Sequence, residues 1–154
     1  MYYSVSLSDD GEVVAIGLTR YCDSTKRTKM YAYYSSQSNW VQMGDNIVVE
    51  AAEDYSGQSV SLSADGTIVA IGADWNDGND GNGSLSGHVR LFKYDGSEWS
   101  KIGDDIDGES AGDQSGGSVS LAGDGLTVAI GARGNDGEGG NNNGHVRMYK
   151  YAPE

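Results

Sequence analysis

The sequence predicts an all-β protein of tandem four-stranded antiparallel blades, a partial β-propeller of about three blades. Three observations lead to this prediction. One strand-turn-strand stretch occurs three times within the 154 residues, Asp-Gly pairs separate its apolar runs, and no segment has the 3.6-residue apolar period of a helix. Four-stranded units repeated in tandem are the building plan of a propeller. Essentially no helix is expected.

The repeat is clearest in residues 59–73, which read SVSLSADGTIVAIGA. Residues 118–132 return this stretch as SVSLAGDGLTVAIGA, and residues 4–17 give an earlier copy, SVSLSDDGEVVAIG. The copies lie 55 and 59 residues apart. A second block, GHVRLFKY at 87–94, returns as GHVRMYKY at 144–151. Two blocks that recur in the same order indicate one structural unit per copy.

Each unit begins with a predicted hairpin. Val60 and Leu62 alternate with serines, which indicates a half-buried strand whose serines face outward. Asp65 and Gly66 predict a tight turn, because glycine accepts positive φ and aspartate bonds its local backbone. The second strand, 68–71, is apolar throughout, and we therefore expect both of its faces to be covered.

The third strand is predicted at 88–94 and the fourth around Trp99, which gives eleven strands in all, because the last copy lacks a fourth. The predicted blades are 1–55, 56–114 and 115–154, the last incomplete. Closed propellers have about four to eight blades. An open arc, a fragment of a longer protein or a piece completed by self-association is therefore expected. A β-trefoil, with three four-stranded repeats in a similar length, is the alternative.

Composition narrows the function classes. The chain has 24 glycines, one proline and ten tyrosines, which is typical of short strands joined by many turns. Its net charge of −13 disfavours nucleic acid and anionic membranes and favours cations. Cys22 stands alone, so an intrachain disulfide is excluded. No apolar stretch approaches the roughly 18 residues of a membrane span, and no signal peptide is visible.

Residues 57–60, followed by 69–73, resemble the FG-GAP repeat of integrin-α-type β-propellers. In that pattern Phe-Gly opens the blade and Gly-Ala-Pro closes its second strand. Here Ser-Gly stands at 56–57 and Gly-Ala-Asp at 72–74. The resemblance implies a propeller fold, a non-catalytic module for protein interaction or adhesion, and an extracellular or cell-surface location. Calcium-binding blades of this family carry an Asp-rich loop between their first two strands, but the link at 64–66 is too short to wrap an ion.

The acidic loops after the second strands are instead the candidate calcium site. Calcium takes about six to eight oxygen ligands, and closely spaced Asp and Asn with Gly permit a tight wrap. The candidate ligands are Asp74, Asn76, Asp77, Asp80, Asn135 and Asp136. A solvated turn rich in residues that accept positive φ explains the same loops, and Arg133 replaces Asp74 in the third copy. Calcium is the one cofactor considered.

Two further groups of residues have structural interpretations. The acidic stretch 104–109, with Asp113 beyond it, is predicted to be a solvated inter-blade crossing whose acids cap turns. His88 and His145 occupy equivalent positions directly after glycine, with no cysteine or second histidine at metal-ligand spacing, and a structural role is predicted for both.

Function is predicted from these residues and from missing motifs. The chain carries no nucleophile elbow, phosphate-binding glycine loop or zinc pattern, so it is expected not to be an enzyme. The leading hypothesis is an interaction or adhesion module with a protein partner, without nucleic acid binding or membrane insertion, and with self-association through open blade edges. One alternative is a glycan-binding or carbohydrate-active module, in which Trp75 stacks on a sugar. The other is a truncated propeller fragment without independent function.

Overall fold

The computed structural model describes residues 2–19, 27–48, 54–77, 84–137, 140 and 142–152. Within these ranges all of the regular secondary structure is β-strand, which confirms the all-β prediction. No helix that could cross a membrane occurs among the described residues. The candidate ligand Asp80 and the single cysteine, Cys22, lie outside them.

The strands form three separate antiparallel sheets, which we call blades 1, 2 and 3. Blade 1 contains β1 (Tyr2–Leu7), β2 (Val13–Thr19), β3 (Arg27–Tyr34), β4 (Asn39–Gln42) and β5 (Ile47–Val48). Blade 2 contains β6 (Ser59–Leu62), β7 (Ile68–Ala73), β8 (His88–Tyr94) and β9 (Trp99–Asp107). Blade 3 contains β10 (Ser115–Leu121), β11 (Thr127–Ala132) and β12 (His145–Lys150). None of the described sheets closes into a barrel, which fits a partial propeller rather than a trefoil.

The fourth strand of blade 1 is interrupted, so the described residues form twelve strands instead of the expected eleven. Both β4 and β5 pair with β3, and Gly44 lies between them with a φ of 63°. The equivalent Gly103 has a φ of 69° within the continuous β9, whose register shifts opposite Arg90. β4 and β5 are therefore one strand broken at the bulge that β9 also carries.

The first hairpin of each blade is built as predicted. In blade 2, Gly66 has a φ of 68°, and Asp65 Oδ1 accepts the N–H of Thr67 at 3.0 Å. Asp10 and Asp124 accept the equivalent N–H groups in blades 1 and 3. The Asp-Gly pair therefore fixes the same turn three times.

Two apolar cores hold the blades together, one at each junction. The core between blades 1 and 2 contains Ala15, Met30, Ile47, Val60, Leu62, Val69 and Ile71. The core between blades 2 and 3 contains Ile68, Ala70, Val89, Leu91, Leu121, Val128 and Ile130. Alternate residues of β7 enter the two cores, and all of its residues are buried. The expectation that this strand is covered on both faces is confirmed.

Serines of the first strands link successive blades, contrary to the prediction that they simply face outward. Ser4 Oγ donates to the carbonyl oxygen of Gly57 at 2.8 Å, and Ser59 Oγ donates to that of Gly116 at 2.7 Å. Two residues further along, Ser6 Oγ and Ser61 Oγ each accept a leucine N–H of the next blade. The prediction failed because alternation along one strand does not show what covers its polar side.

A glycine in each second strand permits this close approach. A Cβ on Gly72 would overlap the carbonyl oxygen of Gly116 and the Oγ of Ser59. A Cβ on Gly17 would meet Gly57 and Ser4 in the same way. The missing side chain therefore sets the distance between blades.

We expect Gly72→Ala to lower the free energy of unfolding by about 1–3 kcal/mol, because the methyl group meets backbone that can move only with the whole blade. Gly131→Ala is the matched control, since its Cβ would meet Ser118 Oγ, a side chain that can rotate. Urea-induced unfolding measures both. An equal loss for the two variants would contradict the proposed spacing role of Gly72.

Candidate functional site

Asp74, directly after β7, is the most deeply buried carboxylate of the candidate calcium ligands, with 1% of its surface exposed. Its Oδ2 lies 3.4 Å from Nη2 of Arg133, which follows β11 at the equivalent position of blade 3. Its Oδ1 has no hydrogen-bond partner among the described residues. Burial raises the pKa of Asp74, and the positive charge of Arg133 acts in the opposite direction.

A cavity of about 370 Å³ opens beside this carboxylate, between blades 2 and 3. Gln58, Gly117 and His145 line it together with Asp74 and Arg133. Gln58 Oε1 is also buried, and no described residue donates to it. Two acceptor oxygens in one cavity thus lack a donor in the described part of the chain, which suits a cation or a ligand with hydrogen-bond donors.

The candidate ligands Asp77 and Asp136 organise their own loops. Asp77 Oδ1 accepts the N–H of Leu85 at 3.0 Å, and Asp136 Oδ1 accepts that of Asn142 at 2.9 Å. Leu85 and Asn142 both have positive φ, at 60° and 53°. Each carboxylate therefore stabilises a strained residue near the end of its loop.

The candidate ligands Asn76 and Asn135 are buried where each loop meets the inter-blade crossing. Asn135 Nδ2 donates to Asp113 Oδ2 at 3.0 Å, and its Oδ1 accepts the N–H of Gly137 at 2.9 Å. Asp113 also accepts the N–H groups of Glu109 and Ser110, which is the turn-capping role predicted for it. Asn135 is thus tied into the loop framework.

The candidate ligands are distributed over two cavities. Asp74 lines the first, whereas Asn135 and Asp136 line a second of about 460 Å³ together with Glu109, and His145 borders both. No group of three or more His, Cys, Asp or Glu side chains suited to a metal ion occurs in the part of the chain that the structure describes. Calcium binding stays a prediction.

An ion-pair centre that sequence reasoning missed lies around Asp105. Arg90 Nε and Nη2 donate to its two oxygens at 2.9 and 2.5 Å, and Lys101 Nζ donates to Oδ1 at 2.6 Å. Burial acts to raise its pKa, but these two cations outweigh burial and hold the pKa at about 2. The prediction of a solvated crossing is wrong for residues 104–107, because β9 continues to Asp107. The bulge at Gly103 interrupts the strand pattern, so the sequence alone does not indicate the part of β9 beyond it.

The two histidines differ in their surroundings. His88, 2% exposed at the start of β8, has its Nδ1 3.9 Å from Asp107 Oδ1. His145 is partly exposed at the start of β12, with its Nδ1 3.5 Å from Glu109 Oε2. Each histidine lies at the start of a strand, whereas Asp107 ends β9 and Glu109 follows it, so the pairs link strand ends, in agreement with a structural role.

Trp75 is 41% exposed beside Asp74. Its ring centroid lies 4.8 Å from that of Tyr55, with an interplanar angle of 50°. This contact packs the ring against the segment that precedes β6. Glycan stacking on Trp75 stays a prediction.

The repeat and the blade geometry can now be compared with known proteins. Residues 44–92 match the family model of the FG-GAP repeat. This match confirms the resemblance to the FG-GAP repeat that the sequence predicts. The matched FG-GAP region runs from the bulge of blade 1 to the third strand of blade 2, and it includes the residues whose resemblance was noted from sequence. No curated protein sequence matches the chain.

Two solved structures share the fold. One is a putative 6-phosphogluconolactonase from Bacteroides uniformis ATCC 8492, with a TM-score of 0.65 and 16% identity over 99% of this chain and 37% of that one. The other is hydrazine synthase from Kuenenia stuttgartiensis, with a TM-score of 0.50 and 10% identity over 86% of this chain and 29% of that one. The chain thus spans about a third of their length, and the likeness concerns the fold alone.

We expect Asp105→Asn to lower the free energy of unfolding by about 1–2 kcal/mol at pH 7, because it removes the charge that Arg90 and Lys101 share. An unfolded aspartate titrates near pH 3.9, and this one titrates at about 2 when folded. The difference from wild type should therefore be complete above about pH 5 and should shrink as the pH falls towards 2.

Denaturant unfolding at several pH values measures this difference. Asp104→Asn, at the exposed neighbouring position, is the matched control. A difference between Asp105→Asn and wild type that stays constant down to pH 2.5 would refute the ion-pair explanation.

Proposed function

We propose that the chain is a non-catalytic β-propeller module that acts through protein contacts, and that its two end faces bind further copies of itself. The observation that supports this is a difference between repeat-equivalent residues. Val5 and Leu7 of blade 1 are 69% and 58% exposed, whereas Val60 and Leu62 of blade 2 are 8% and 6% exposed. The blade 2 pair is covered by blade 1, so the blade 1 pair has the form of a contact surface.

The opposite end shows the same difference. Val146 and Met148 of blade 3 are 68% and 72% exposed, whereas the equivalent Val89 and Leu91 are 0% and 5% exposed because blade 3 packs on them. The two end faces are thus the two halves of the junction that the molecule already forms twice. Burying four such side chains is favourable by about 1.5–3 kcal/mol each before the costs of association.

Polar groups at the end faces match in the same way. The N–H of Leu121 donates to Ser61 Oγ at 2.9 Å, and that of Leu62 donates to Ser6 Oγ at 3.0 Å. The next pair in this series is Leu7 of one copy and Ser120 of another. Head-to-tail packing would therefore extend the existing hydrogen-bond pattern as well as the apolar core.

Head-to-tail packing joins two different surfaces, so it forms a ring if the rotation closes and an open chain if it does not. Each copy brings three blades, and closed propellers have about four to eight. Two copies would supply a number within that range. A closed dimer is therefore the assembly that we favour.

We expect the wild-type chain to elute as a dimer or larger assembly of 16.2 kDa units, measured by size-exclusion chromatography with light scattering. Met148→Asp should give a monomer, because the new carboxylate would be buried against an apolar face. Val41→Asp is the matched control: Val41 is an exposed valine of β4, on the side of blade 1 that faces blade 2.

A mixing experiment separates head-to-tail packing from other modes. Leu7→Asp disables one end face and Met148→Asp the other, so each variant alone should be monomeric. Mixed together, they retain one intact junction and should form a pair and nothing larger. A wild-type monomer at 100 µM, or no pairing in the mixture, would contradict the proposed contact.

We further propose that calcium binds beside Asp74 and orders the acidic loops, and that the module works outside the cell, where calcium is plentiful. The buried Asp74 Oδ1 and Gln58 Oε1 support this proposal, because neither accepts a hydrogen bond from a described residue and calcium prefers oxygen ligands and completes its shell with water. Arg133 would have to swing away, which its 63% exposed side chain allows.

We expect millimolar calcium to raise the melting temperature of the wild type by about 2–4 °C, because a ligand that binds only the folded state stabilises that state. Asp74→Asn should abolish that rise, and magnesium should produce a smaller one. Asp124→Asn, in the hairpin of blade 3, is the control and should keep the rise. An unchanged melting temperature for the wild type would rule out the calcium proposal.

A further inference from the structure

The free edge of β12 forms part of a second, separate candidate binding site. Among the described residues β12 pairs with β11 only, whereas the equivalent strands β3 and β8 each carry a fourth strand. We propose that this edge and the groove beside it bind an extended, tryptophan-bearing segment of a partner polypeptide as the fourth strand of blade 3. This site is distinct from the end faces.

Blade 2 shows how such a tryptophan is held. Trp99, at the start of β9, donates its indole N–H to the carbonyl oxygen of Met43 at 3.0 Å. Its ring lies over Gly44, where a Cβ would stand 3.4 Å from Trp99 Cδ1, and it packs on Tyr94 with ring centroids 5.2 Å apart. A fourth-strand tryptophan is therefore received by the bulge of the preceding blade.

The corresponding place between blades 2 and 3 is a groove of about 390 Å³. Its apolar lining consists of Leu91, Ile102, Ile106, Val128, Tyr149 and Tyr151. Ile102 and Gly103 stand where Met43 and Gly44 stand at the first junction, and Tyr151 stands where Tyr94 does. Tyr151 leans towards Gly103, on which a Cβ would lie 3.4 Å from its Cε2. The groove thus repeats the tryptophan seat of the first junction.

The backbone of β12 offers the matching hydrogen-bond groups. The N–H of Tyr151 donates to the carbonyl oxygen of Leu126 on the β11 side at 2.7 Å. Successive N–H groups alternate in direction along a strand, so those of Lys150, Met148 and Val146 point to the open side. A row of such groups is what an added strand uses, while side-chain pockets supply its specificity.

The two filled copies define the pattern that the segment must carry. Each has tryptophan, then an apolar residue three positions later, then glycine: Trp40 with Met43, and Trp99 with Ile102. Residues 36–48, SQSNWVQMGDNIV, contain this pattern with one acidic residue, so repulsion by the acidic chain is small. A synthetic peptide of this sequence is the probe.

The test measures fluorescence anisotropy of the labelled peptide with the whole chain at about 0.15 M salt. We expect saturable binding that is at least tenfold weaker for the peptide carrying Trp40→Ala and undetectable for a scrambled peptide. In the chain, Lys150→Pro should abolish binding, because it removes an outward N–H from an edge strand that tolerates proline. Lys150→Ala, which keeps that N–H, should bind within threefold of wild type.

The same variants distinguish this site from the end faces. Lys150 is not one of the apolar residues of the end faces, so its variants should leave end-face association unchanged, whereas strand addition depends on its backbone N–H. Circular dichroism is the check that both variants remain folded. Three results would overturn the proposal: no binding at 1 mM peptide, equal binding of the Trp40→Ala peptide, or undiminished binding to a folded Lys150→Pro chain.

Discussion

The contact between a serine hydroxyl and a glycine carbonyl across each blade junction is the constraint on which the rest of the structure depends. Ser59 reaches the carbonyl of Gly116 only because Gly72 leaves its space empty. With the main chains this close, the apolar side chains of neighbouring blades pack against each other in two cores. The second junction repeats the first in both hydrogen bond and glycine, so one local solution determines how every blade is placed.

This arrangement also explains why identical sequence motifs have different environments. The second strands of all three blades are nearly alike, yet β7 is buried throughout while β2 and β11 are buried on alternate residues. The difference in burial comes from the position of the blade and not from its sequence, because blade 2 has a neighbouring blade on each side. Residues that are interchangeable by motif are therefore core in one blade and contact surface in another.

Much of the fold could be predicted from the sequence because its signals are local and repeated. The Asp65-Gly66 turn, the apolar second strand and the strand order follow from composition and spacing. The extent of β9 and the ion pairs of Asp105 could not, because a bulge of three residues opposite Arg90 resets the register. The candidate site divides in the same way: the sequence pointed to Asp74, but its unpartnered oxygen and the cavity shared with Gln58 depend on packing between blades. Asp77 and Asp136 proved to be loop-holding groups, a role that sequence alone does not separate from metal ligation.

The hydrogen bonds across the junctions run largely to main-chain atoms: a carbonyl of Gly57 or Gly116, or an N–H of Leu62 or Leu121. Main-chain atoms do not change when side chains do. A blade inserted by duplication of its coding segment would find a compatible partner on each side at once, needing a serine, a glycine and a few apolar side chains. The packing between blades thus does not depend on the loops that a blade carries. Those loops can therefore diverge in sequence and acquire separate specificities.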